Sequence, residues 1–447
     1  MSPFKAYDIR GTYGADVTED LAYRIGRHLP ALLDGRRALV GRDARLSSPP
    51  LAEALLRGIA DSGCDADFIG LASTPLVYFA TAEFDYDFSV QITASHNPAE
   101  YNGFKISRHG AIPVGGDSGL ADLERLCAGP TPPPAAARGR VAERDCLPAF
   151  LDFLRPYATG FEDLKLVIDC SNGMGALTAR TLFADCRQAA FRADAIDGAF
   201  PDHPPNPLEE AGRAPLSAAV RAAGADLGLV FDGDADRVMF VDERGAFVSP
   251  DLLIAPMAER FLREFPGAPV LHDIRTSRGV TEFLEEQGAR PFIWKVGHAF
   301  AKMKLRELNA PFGGEFAGHY YFREFHWCDS GELAALVALR EIAAAKARGL
   351  AFSQFIAPVA RYANSGEINF RIDDKDTAMA RAVAALVKEA EPARRLDFDG
   401  VRLDYPDWWV SLRKSNTEPY LRLIVEAKTD DLLAERLARV KRLLGVE

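Results

Sequence analysis

The chain has 447 residues, of which 48% are hydrophobic and 26% charged, and its formal net charge is −11. A chain of this length is too long for one compact core, so we expect about three to four units of roughly 100–150 residues. The acidic balance disfavours a general affinity for nucleic acid or for an acidic membrane, because the overall field repels phosphate groups, but it is compatible with a local basic pocket.

The beginning of the chain, MSPFKAYDIRG, contains no signal-peptide core, and the sequence contains no apolar run of about 18 residues. Its six cysteines form no CxxC pair and no dense framework, which is typical of reduced thiols in the cytosol. We therefore expect a cytoplasmic protein that binds no nucleic acid and no membrane.

Short apolar segments alternate with helical patterns in the first part of the chain. ALVGRD, for example, is followed by PPLAEALLRGIADSG, and such alternation predicts an α/β domain. The segment AGPTPPPAAARGR, residues 128–140, predicts a linker or an exposed connection, because proline stiffens the chain and removes backbone donors.

A loose repeat runs through the first three quarters of the sequence. RRALVGRD, LKLVIDC and GAPVLHDIR each form a short apolar strand that ends near an aspartate, namely Asp43, Asp169 and Asp273. A polar turn and then a helical pattern follow each one. We predict three related α/β units.

The last part of the chain has a different pattern. GEINFRI, GVRLDYP, WWVSLRKS and YLRLIVEAKT alternate like half-buried strands, and AMARAVAALVKEA and DLLAERLARVKRLL have a helical period. These segments predict an α+β unit of roughly 90 residues.

The hexapeptide TASHNP, residues 93–98, follows the strand-like segment FSVQIT and precedes a polar segment that could open a helix. Backbone N–H groups at a helix start favour an anion, so Ser95 could carry a phosphate. His96 is not expected to activate Ser95, since neighbours in sequence rarely point at each other, and no GxSxG elbow surrounds it. A structural serine in a capped loop remains open.

Three carboxylates end a buried-looking strand in LGLVFDGDADRVMFVD. Asp232, Asp234 and Asp236 alternate along the loop, and Arg237 follows them. Oxygen ligands clustered in this way suit Mg²⁺, and without a cation the three charges would repel one another. A solvated acidic turn is the alternative. An EF-hand is disfavoured because Arg237 stands where its sharp turn needs glycine.

Two loops later in the chain carry polar groups suited to a sugar phosphate. GGEFAGHYYF, residues 313–322, holds Glu315 and His319, which could bind sugar hydroxyls, although a tight turn with a surface glutamate also fits. LRKSNTEPYLRL, residues 412–423, could cradle a phosphate between two strands or form an ordinary turn. Its polar residues are Arg413, Ser415, Asn416 and Thr417.

Weaker signals complete the sequence pattern. Arg10 in YDIRG and Lys105 in YNGFKI are lone cations, which are usually solvated. CSNGMGA, residues 170–176, contains Gly173 and Gly175, but Thr178, two residues beyond it, stands where a dinucleotide fingerprint needs its third glycine. The segment also lacks the GK[ST] of a phosphate-binding loop. We therefore predict no nucleotide site there.

Taken together, YDIRG, TASHNP, DGDADR, GEFAGH and RKSNTEP resemble the motifs of the α-D-phosphohexomutase family, in its phosphomannomutase/phosphoglucomutase group. They occur in the order of that family and at its approximate spacing, over nearly the whole chain. The resemblance implies three related α/β domains and a C-terminal α+β domain similar to the TATA-box-binding-protein fold, around one cleft. We place the domains at residues 1–147, 148–246, 247–358 and 359–447.

The resemblance also implies a reaction, the reversible transfer of phosphate between C1 and C6 of a glucose or mannose phosphate. Ser95 would carry the phosphoryl group, and its phosphate would bind Mg²⁺ together with Asp232, Asp234 and Asp236. The substrates would be hexose 1-phosphate and hexose 6-phosphate. A 1,6-bisphosphosugar would be the intermediate, and glucose 1,6-bisphosphate or mannose 1,6-bisphosphate the activator.

Further site residues follow from the same resemblance. Arg10, His96 and Lys105 would surround the phosphoserine, with Lys105 a proton-transfer group. Sugar contacts would come from Arg237, Arg275, His298, Glu315 and His319. Arg413, Ser415, Asn416 and Thr417 would hold the phosphate that is not reacting. We expect a monomer or a weak dimer.

One departure concerns the sugar loop, which more often reads GEMSGH in this family. Phe316 and Ala317 replace its methionine and serine, so one hydroxyl is absent and the sugar preference stays open. The alternatives to a mutase of glucose or mannose phosphate are a Mg²⁺-dependent sugar phosphatase, a phosphoglucosamine mutase and a silent sugar-phosphate-binding protein.

Overall fold

The computed structural model describes residues 2–415 and 420–446. Within these ranges the chain folds into four units, each built on its own β-sheet. The first three are α/β and the last is α+β, as the sequence predicts. We call them the first to fourth domains in chain order.

The first domain is built on a mixed sheet with the strand order β1-β5-β4-β2-β3-β7, and β6 pairs with β5. The two central strands of this sheet are parallel to each other and largely buried. The elements are β1 Ile9–Thr12, α1 Glu19–Leu33, β2 Arg37–Arg42, α2 Ser48–Asp61, β3 Asp65–Leu71, α3 Thr74–Glu83, β4 Phe88–Ile92, β5 Tyr101–Arg108, β6 Ile112–Pro113, α4 Leu120–Ala128 and β7 Val141–Glu143.

The second domain has the strand order β12-β11-β10-β8-β9. Its elements are α5 Leu147–Leu154, β8 Leu166–Asp169, α6 Ala176–Leu182, β9 Ala189–Arg192, α7 Glu210–Ala223, β10 Leu227–Phe231, β11 Val238–Asp242 and β12 Phe247–Val248.

The third domain has the strand order β14-β13-β15-β16-β17. Its elements are α8 Ile254–Glu264, β13 Pro269–Asp273, α9 Arg278–Glu286, β14 Arg290–Trp294, α10 His298–Leu308, β15 Phe312–Gly314, β16 Tyr320–Phe322, β17 Cys328–Asp329, α11 Gly331–Ala347 and α12 Phe352–Ile356.

The fourth domain is an antiparallel sheet with the order β18-β23-β22-β21-β20, and β19 pairs with β23. Its strands β18 Ala363–Asn364, β19 Ile368–Arg371, β20 Arg394–Leu396, β21 Val401–Asp404, β22 Trp408–Lys414 and β23 Tyr420–Ala427 are accompanied by α13 Lys375–Glu389 and α14 Asp430–Leu444. The apolar sides of both helices complete its core.

The three α/β domains repeat one four-strand arrangement. In each, a central strand (β2, β8 or β13) lies between two parallel neighbours, and one neighbour continues into an antiparallel strand. In each, the aspartate at the end of the central strand accepts a hydrogen bond from the backbone N–H two residues later. These aspartates are Asp43, Asp169 and Asp273. The weak sequence repeat therefore marks a structural repeat.

The segment 128–140 is an exposed connection, which is one of the two forms that the sequence predicts, and it is held against the first domain. Arg27 in α1 donates to the carbonyls of Pro132 and Pro133 at 3.0 and 2.7 Å, and Arg138 pairs with Asp61 in α2. Proline removes backbone donors but leaves its carbonyl, so the buried Arg27 and the exposed Arg138 hold the segment against the first domain.

One apolar cluster runs continuously from the first domain through the second to the third, and includes Leu76, Phe150, Phe231 and Leu333. The fourth domain has a separate core. The cysteines, all within the described ranges, are buried thiols without a disulfide. Among the helices of the described part of the chain, none combines the length and apolar character that a bilayer crossing demands.

Candidate active site

Ser95 lies fully buried in the loop between β4 and β5. Its φ of 52° is in the left-handed region, and its backbone N–H donates to Thr93 Oγ1 at 2.9 Å. The predicted helix start after this loop is wrong, because the chain turns directly into β5. The left-handed residue makes that reversal possible.

The side chain of Ser95 meets two partners. Its Oγ donates to Asp232 Oδ2 at 2.9 Å and lies 3.2 Å from His96 Nδ1. The expectation that neighbouring side chains point apart fails here, since the left-handed backbone at Ser95 brings both side chains together. Burial, and then Arg237 and Arg10, lower the pKa of His96 well below its ordinary value, so its imidazole is neutral.

Asp232, Asp234 and Asp236 lie in the turn between β10 and β11, and all three are fully buried. Each offers a carboxylate oxygen within 4.8 Å of the others. Two carboxylate oxygens of this group, Asp234 Oδ1 and Asp236 Oδ1, have no hydrogen-bond partner among the described residues. A solvated acidic turn is therefore wrong, and an EF-hand is excluded because the residues after Arg237 form β11.

The charges around this cluster are partly balanced. Lys105 Nζ lies 2.7 Å from Asp234 Oδ2 and 2.5 Å from Asp236 Oδ2, and Arg237 Nε lies 3.6 Å from Asp232 Oδ2. Three carboxylates against two cations leave about one negative charge, and a phosphoserine adds about two more. Buried carboxylate oxygens, some of them without a hydrogen-bond partner, together with this excess of negative charge fit a divalent cation such as Mg²⁺.

The pKa shifts follow the same balance. Burial raises the pKa of Asp232 well above its ordinary value, and the charges of Asp236 and Asp234 raise it further. Burial opposes the charge of Lys105, but Asp234 and Asp236 outweigh it and raise the pKa of the ammonium group. Lys105 is therefore protonated in this site before any transfer.

Arg10 stands beside this group. Its Nη1 donates to Asn97 Oδ1 at 2.7 Å, and its Nη2 pairs with Asp8 Oδ2 at 2.5 Å. The lone arginine of YDIRG is therefore largely buried, and its guanidinium contacts the Ser95 loop.

Glu315 is buried in the turn between β15 and β16, so a surface glutamate is wrong. Its Oε1 accepts from the Gly297 N–H at 2.8 Å, immediately before His298. Burial, and then Asp273, raise the pKa of Glu315. The ring centroids of His298 and His319 are 6.1 Å apart, so the predicted sugar-side groups converge on one region.

His319 connects this region with the aspartate cluster. Its Nδ1 lies 2.6 Å from Asp329 Oδ2 and 3.9 Å from Asp236 Oδ1. Lys302 Nζ lies 2.7 Å from the other oxygen of Asp329, and both of these residues are fully buried. Sequence reasoning missed Asp329 and Lys302, because neither belongs to a motif with recognisable chemistry.

Phe316, which stands where the family's sugar loop more often has methionine, packs against the fourth domain. Its side chain forms an apolar cluster with Trp409 and Ile424, and the guanidinium carbon of Arg275 lies 5.3 Å from its ring centroid. Its backbone N–H donates to Asp273 Oδ2 at 2.9 Å. The departure from the common loop sequence therefore serves packing between domains.

A basic group lies where the third and fourth domains meet. Arg275 and Arg422 both pair with Glu367, at 3.3 and 3.0 Å, and Arg413 pairs with Asp399 at 3.0 Å. Arg413 and Arg422 are cross-strand partners in β22 and β23. Sequence reasoning missed Arg422. Pairing the two predicted strands in the register that places Arg413 opposite Arg422 could have identified it.

Within the phosphate-cradle prediction, Ser415 is described, and its backbone N–H donates to the Tyr420 carbonyl at 2.9 Å. Asn416 and Thr417 lie outside the described residues, so their predicted roles stay predictions. Tyr7 of the first domain packs edge-on against His298 at 5.3 Å, which brings the first and third domains together at the cleft.

Comparison with known proteins agrees with this architecture. Family models for phosphoglucomutase/phosphomannomutase match in sequence: alpha/beta/alpha domain I at residues 1–125, domain II at 148–245, domain III at 249–362 and the C-terminal domain at 367–443. A phosphomannomutase of Salmonella montevideo is 39% identical over 99% of this chain and 98% of its own length. A protein of Xanthomonas campestris named for phosphohexose mutases is 40% identical, with 99% of each chain covered.

A solved structure shows the same fold. The crystal structure of a phosphoglucomutase/phosphomannomutase family protein from Burkholderia thailandensis superimposes with a TM-score of 0.86 at 29% identity, covering 99% of this chain and 96% of that one. Sequence and fold thus agree from the first domain to the fourth, and the protein belongs to the phosphoglucomutase/phosphomannomutase family of α-D-phosphohexomutases.

Proposed function

We propose that this protein interconverts hexose 1-phosphate and hexose 6-phosphate through a phosphorylated Ser95. The observation that carries the proposal is the 2.9 Å contact of Ser95 Oγ with Asp232, inside a buried group of three carboxylates. A serine aimed at carboxylates whose charge is only partly balanced is poorly placed to attack a substrate unaided. It is well placed to carry a phosphate whose charge a divalent cation balances.

The transfer begins with phosphoserine and a bound hexose phosphate. The bond between phosphorus and Ser95 Oγ breaks as a sugar hydroxyl oxygen bonds to phosphorus, which gives a 1,6-bisphosphosugar. After the sugar reorients, its other phosphate returns to Ser95. Mg²⁺ bound by the seryl phosphate, Asp232, Asp234 and Asp236 would neutralise charge and polarise the phosphoryl group.

Cationic side chains support this transfer. We assign Lys105, which is protonated at rest, to the transferring phosphoryl group as a positive charge and as the acid that donates a proton to the Ser95 oxygen when the bond to phosphorus breaks. Arg10 positions the loop through Asn97. We assign acceptance of the sugar hydroxyl proton to His319, whose Nδ1 is held by Asp329.

The remaining groups would bind the sugar and its second phosphate. Glu315, His298 and Arg275 converge on the side of the cleft formed by the third domain, and we assign them to sugar hydroxyls. We assign Arg413, Ser415 and the following loop to the phosphate that is not reacting, since a guanidinium binds phosphate in a bidentate fork. Arg237, beside Asp232, completes the set.

A coupled assay tests the proposed function. Glucose 1-phosphate and mannose 1-phosphate are supplied with and without glucose 1,6-bisphosphate, and 6-phosphate formation and phosphate release are measured together. We expect isomerisation to depend on Mg²⁺, to increase with the bisphosphate, and to exceed phosphate release. A Ser95→Ala variant should lose isomerisation. If phosphate release is faster than isomerisation, the protein is a phosphatase.

A further inference from the structure

Arg45 lies in the turn after β2 and is fully buried, although nothing in its sequence context distinguishes it from a surface arginine. Its guanidinium reaches into the Ser95 loop. Nη2 donates to the carbonyls of Ser95 at 2.8 Å and Asn97 at 2.6 Å, and Nη1 donates to those of Pro98 at 2.5 Å and Tyr101 at 3.0 Å. One side chain therefore binds four carbonyls of a single loop.

Arg45 is itself anchored. Its Nε donates to Asp43 Oδ2 at 3.0 Å, and Asp43 also accepts from the Arg45 backbone N–H at 3.0 Å and from Ser48 Oγ at 2.6 Å. The second domain closes over the turn: a Cβ at Gly198 would lie 2.1 Å from the Ala44 carbonyl oxygen. The guanidinium can therefore move little relative to the sheet.

These contacts have a direct consequence for Ser95. Four carbonyl oxygens directed at one point repel one another unless a cation donates to them, and the left-handed backbone at Ser95 adds strain. By satisfying all four carbonyls, Arg45 stabilises the loop conformation in which the Ser95 hydroxyl faces Asp232.

In the second and third domains, the turn after the central strand also forms a hydrogen bond to the neighbouring functional loop. In the second domain, Ser171 stands two residues after Asp169, and its Oγ donates at 2.6 Å to the carbonyl of Phe231, the residue before Asp232. In the third domain, Asp273 accepts from the N–H of Phe316, the residue after Glu315. Each central-strand turn thus holds the functional loop that follows a neighbouring parallel strand.

We propose that Arg45 is a positioning residue for phosphoryl transfer, which acts by fixing the carbonyls of residues 95–101. The inference rests on the proposed role of Ser95 as phosphoryl carrier. Because Arg45 is fully buried behind the loop, it should affect the rate of transfer far more than the binding of the sugar phosphate.

The test compares Arg45→Lys with Arg27→Lys. Arg27 is also a buried arginine that donates to two loop carbonyls, those of Pro132 and Pro133, but its loop is on the outer side of the first domain. Arg45→Lys should lower kcat about 100-fold, the effect of a small misplacement of a reacting group, and change KM less than about threefold. Arg27→Lys should leave both near wild type.

If Arg45→Lys does not fold, a milder second variant still tests the proposal. Asp43→Asn retains Arg45 and weakens its anchor, and should lower kcat about tenfold with little change in KM. Circular dichroism and thermal melting establish which variants are folded. A folded variant at either position with kcat within about threefold of wild type would overturn the proposal. A fall in kcat accompanied by an equally large rise in KM would overturn it too.

A separate measurement distinguishes this proposal from the one on which it rests. Wild-type protein is incubated with glucose 1,6-bisphosphate, and bound phosphate is detected by intact mass and located by peptide mapping. If no phosphate is bound to Ser95, the proposed function itself fails. If Ser95 is phosphorylated and the Arg45 variants keep wild-type kcat, only the positioning role fails.

Discussion

The junction between the first and second domains is built differently from the junction between the third and fourth. The first junction lies over a continuous apolar core and is closed by short contacts. Ser95 Oγ donates to Asp232, and the Thr74 N–H donates to the Asp234 carbonyl at 3.0 Å. A Cβ at Gly233 would lie 2.5 Å from the Ser95 carbonyl oxygen.

The second of these junctions is made by long side chains. Arg402 in the fourth domain donates to the carbonyls of Ile274 and Thr276, both at 2.9 Å, and Arg278 in the third donates to the Tyr405 carbonyl at 2.7 Å. The fourth domain has its own core. In the first junction the groups proposed for the chemistry are in direct contact, whereas in the second the domains that carry the groups proposed for binding are joined through long arginine side chains.

The largest effect is expected at the aspartate cluster. Asp232→Asn should lower kcat about 10³-fold, because it removes one charge from the proposed Mg²⁺ ligands. It should not lower the melting temperature measured without Mg²⁺, because burial and its neighbours already disfavour the ionised carboxylate. Asp122→Asn, an exposed side chain in α4, is the control and should change neither quantity. Wild-type turnover in Asp232→Asn would contradict the assignment.

A smaller loss is expected where the first two domains touch. Gly233→Ala places a methyl group against the Ser95 carbonyl and should lower kcat about 10²-fold by displacing the reacting groups. Gly129→Ala is the matched control, since its Cβ would lie 3.5 Å from the nearest atom and meet no clash. Steady-state kinetics at equal folded fraction decide the comparison. If both variants behave alike, the short contact at Gly233 has no special role.

The junction of the third and fourth domains should respond in KM. Arg413→Lys keeps the charge but loses the planar fork that binds a phosphate in a bidentate way. We expect KM for the sugar phosphate to rise about tenfold, with kcat nearly unchanged, because one charge-assisted contact is weakened. A fall in kcat without a rise in KM would place Arg413 in the chemistry and remove the contrast between the junctions.

The smallest effect is expected at Phe316. Because its side chain packs with Trp409 and Ile424, Phe316→Met should cost less than about 1.5 kcal/mol of stability. The ratio of kcat/KM for glucose 1-phosphate to that for mannose 1-phosphate should stay within about threefold of wild type. A larger change in this ratio would show that position 316 selects the sugar.

Much of the fold was predictable because it depends on local patterns. The aspartates of the three strand-end segments marked equivalent turns, and the alternation near the C-terminus marked the antiparallel sheet. Glu315 and His298 lie close together in the structure, and their assignment to the sugar stays a prediction. Such motifs carry their signal in side-chain type and spacing, which a sequence displays directly.

The supporting contacts were not predictable for a physical reason. Arg45 binds backbone carbonyls, and every residue has a carbonyl, so no partner appears in the sequence. Lys302 and Asp329 are 27 positions apart and meet only because α10 and β17 pack in one domain. The Ser95–His96 contact depends on the left-handed φ of Ser95, which cannot be predicted from the presence of a serine in the sequence.

The central claim is that Ser95 carries the phosphoryl group, and a pulse-chase experiment tests it most directly. The protein is incubated with Mg²⁺ and ³²P-labelled glucose 1,6-bisphosphate, mapped by peptide mass spectrometry, and then chased with unlabelled hexose 1-phosphate. We expect the label on Ser95, absent from Ser95→Ala, and transferred to the sugar during the chase. Label on another residue, or label lost to water and not to the sugar, would contradict the account.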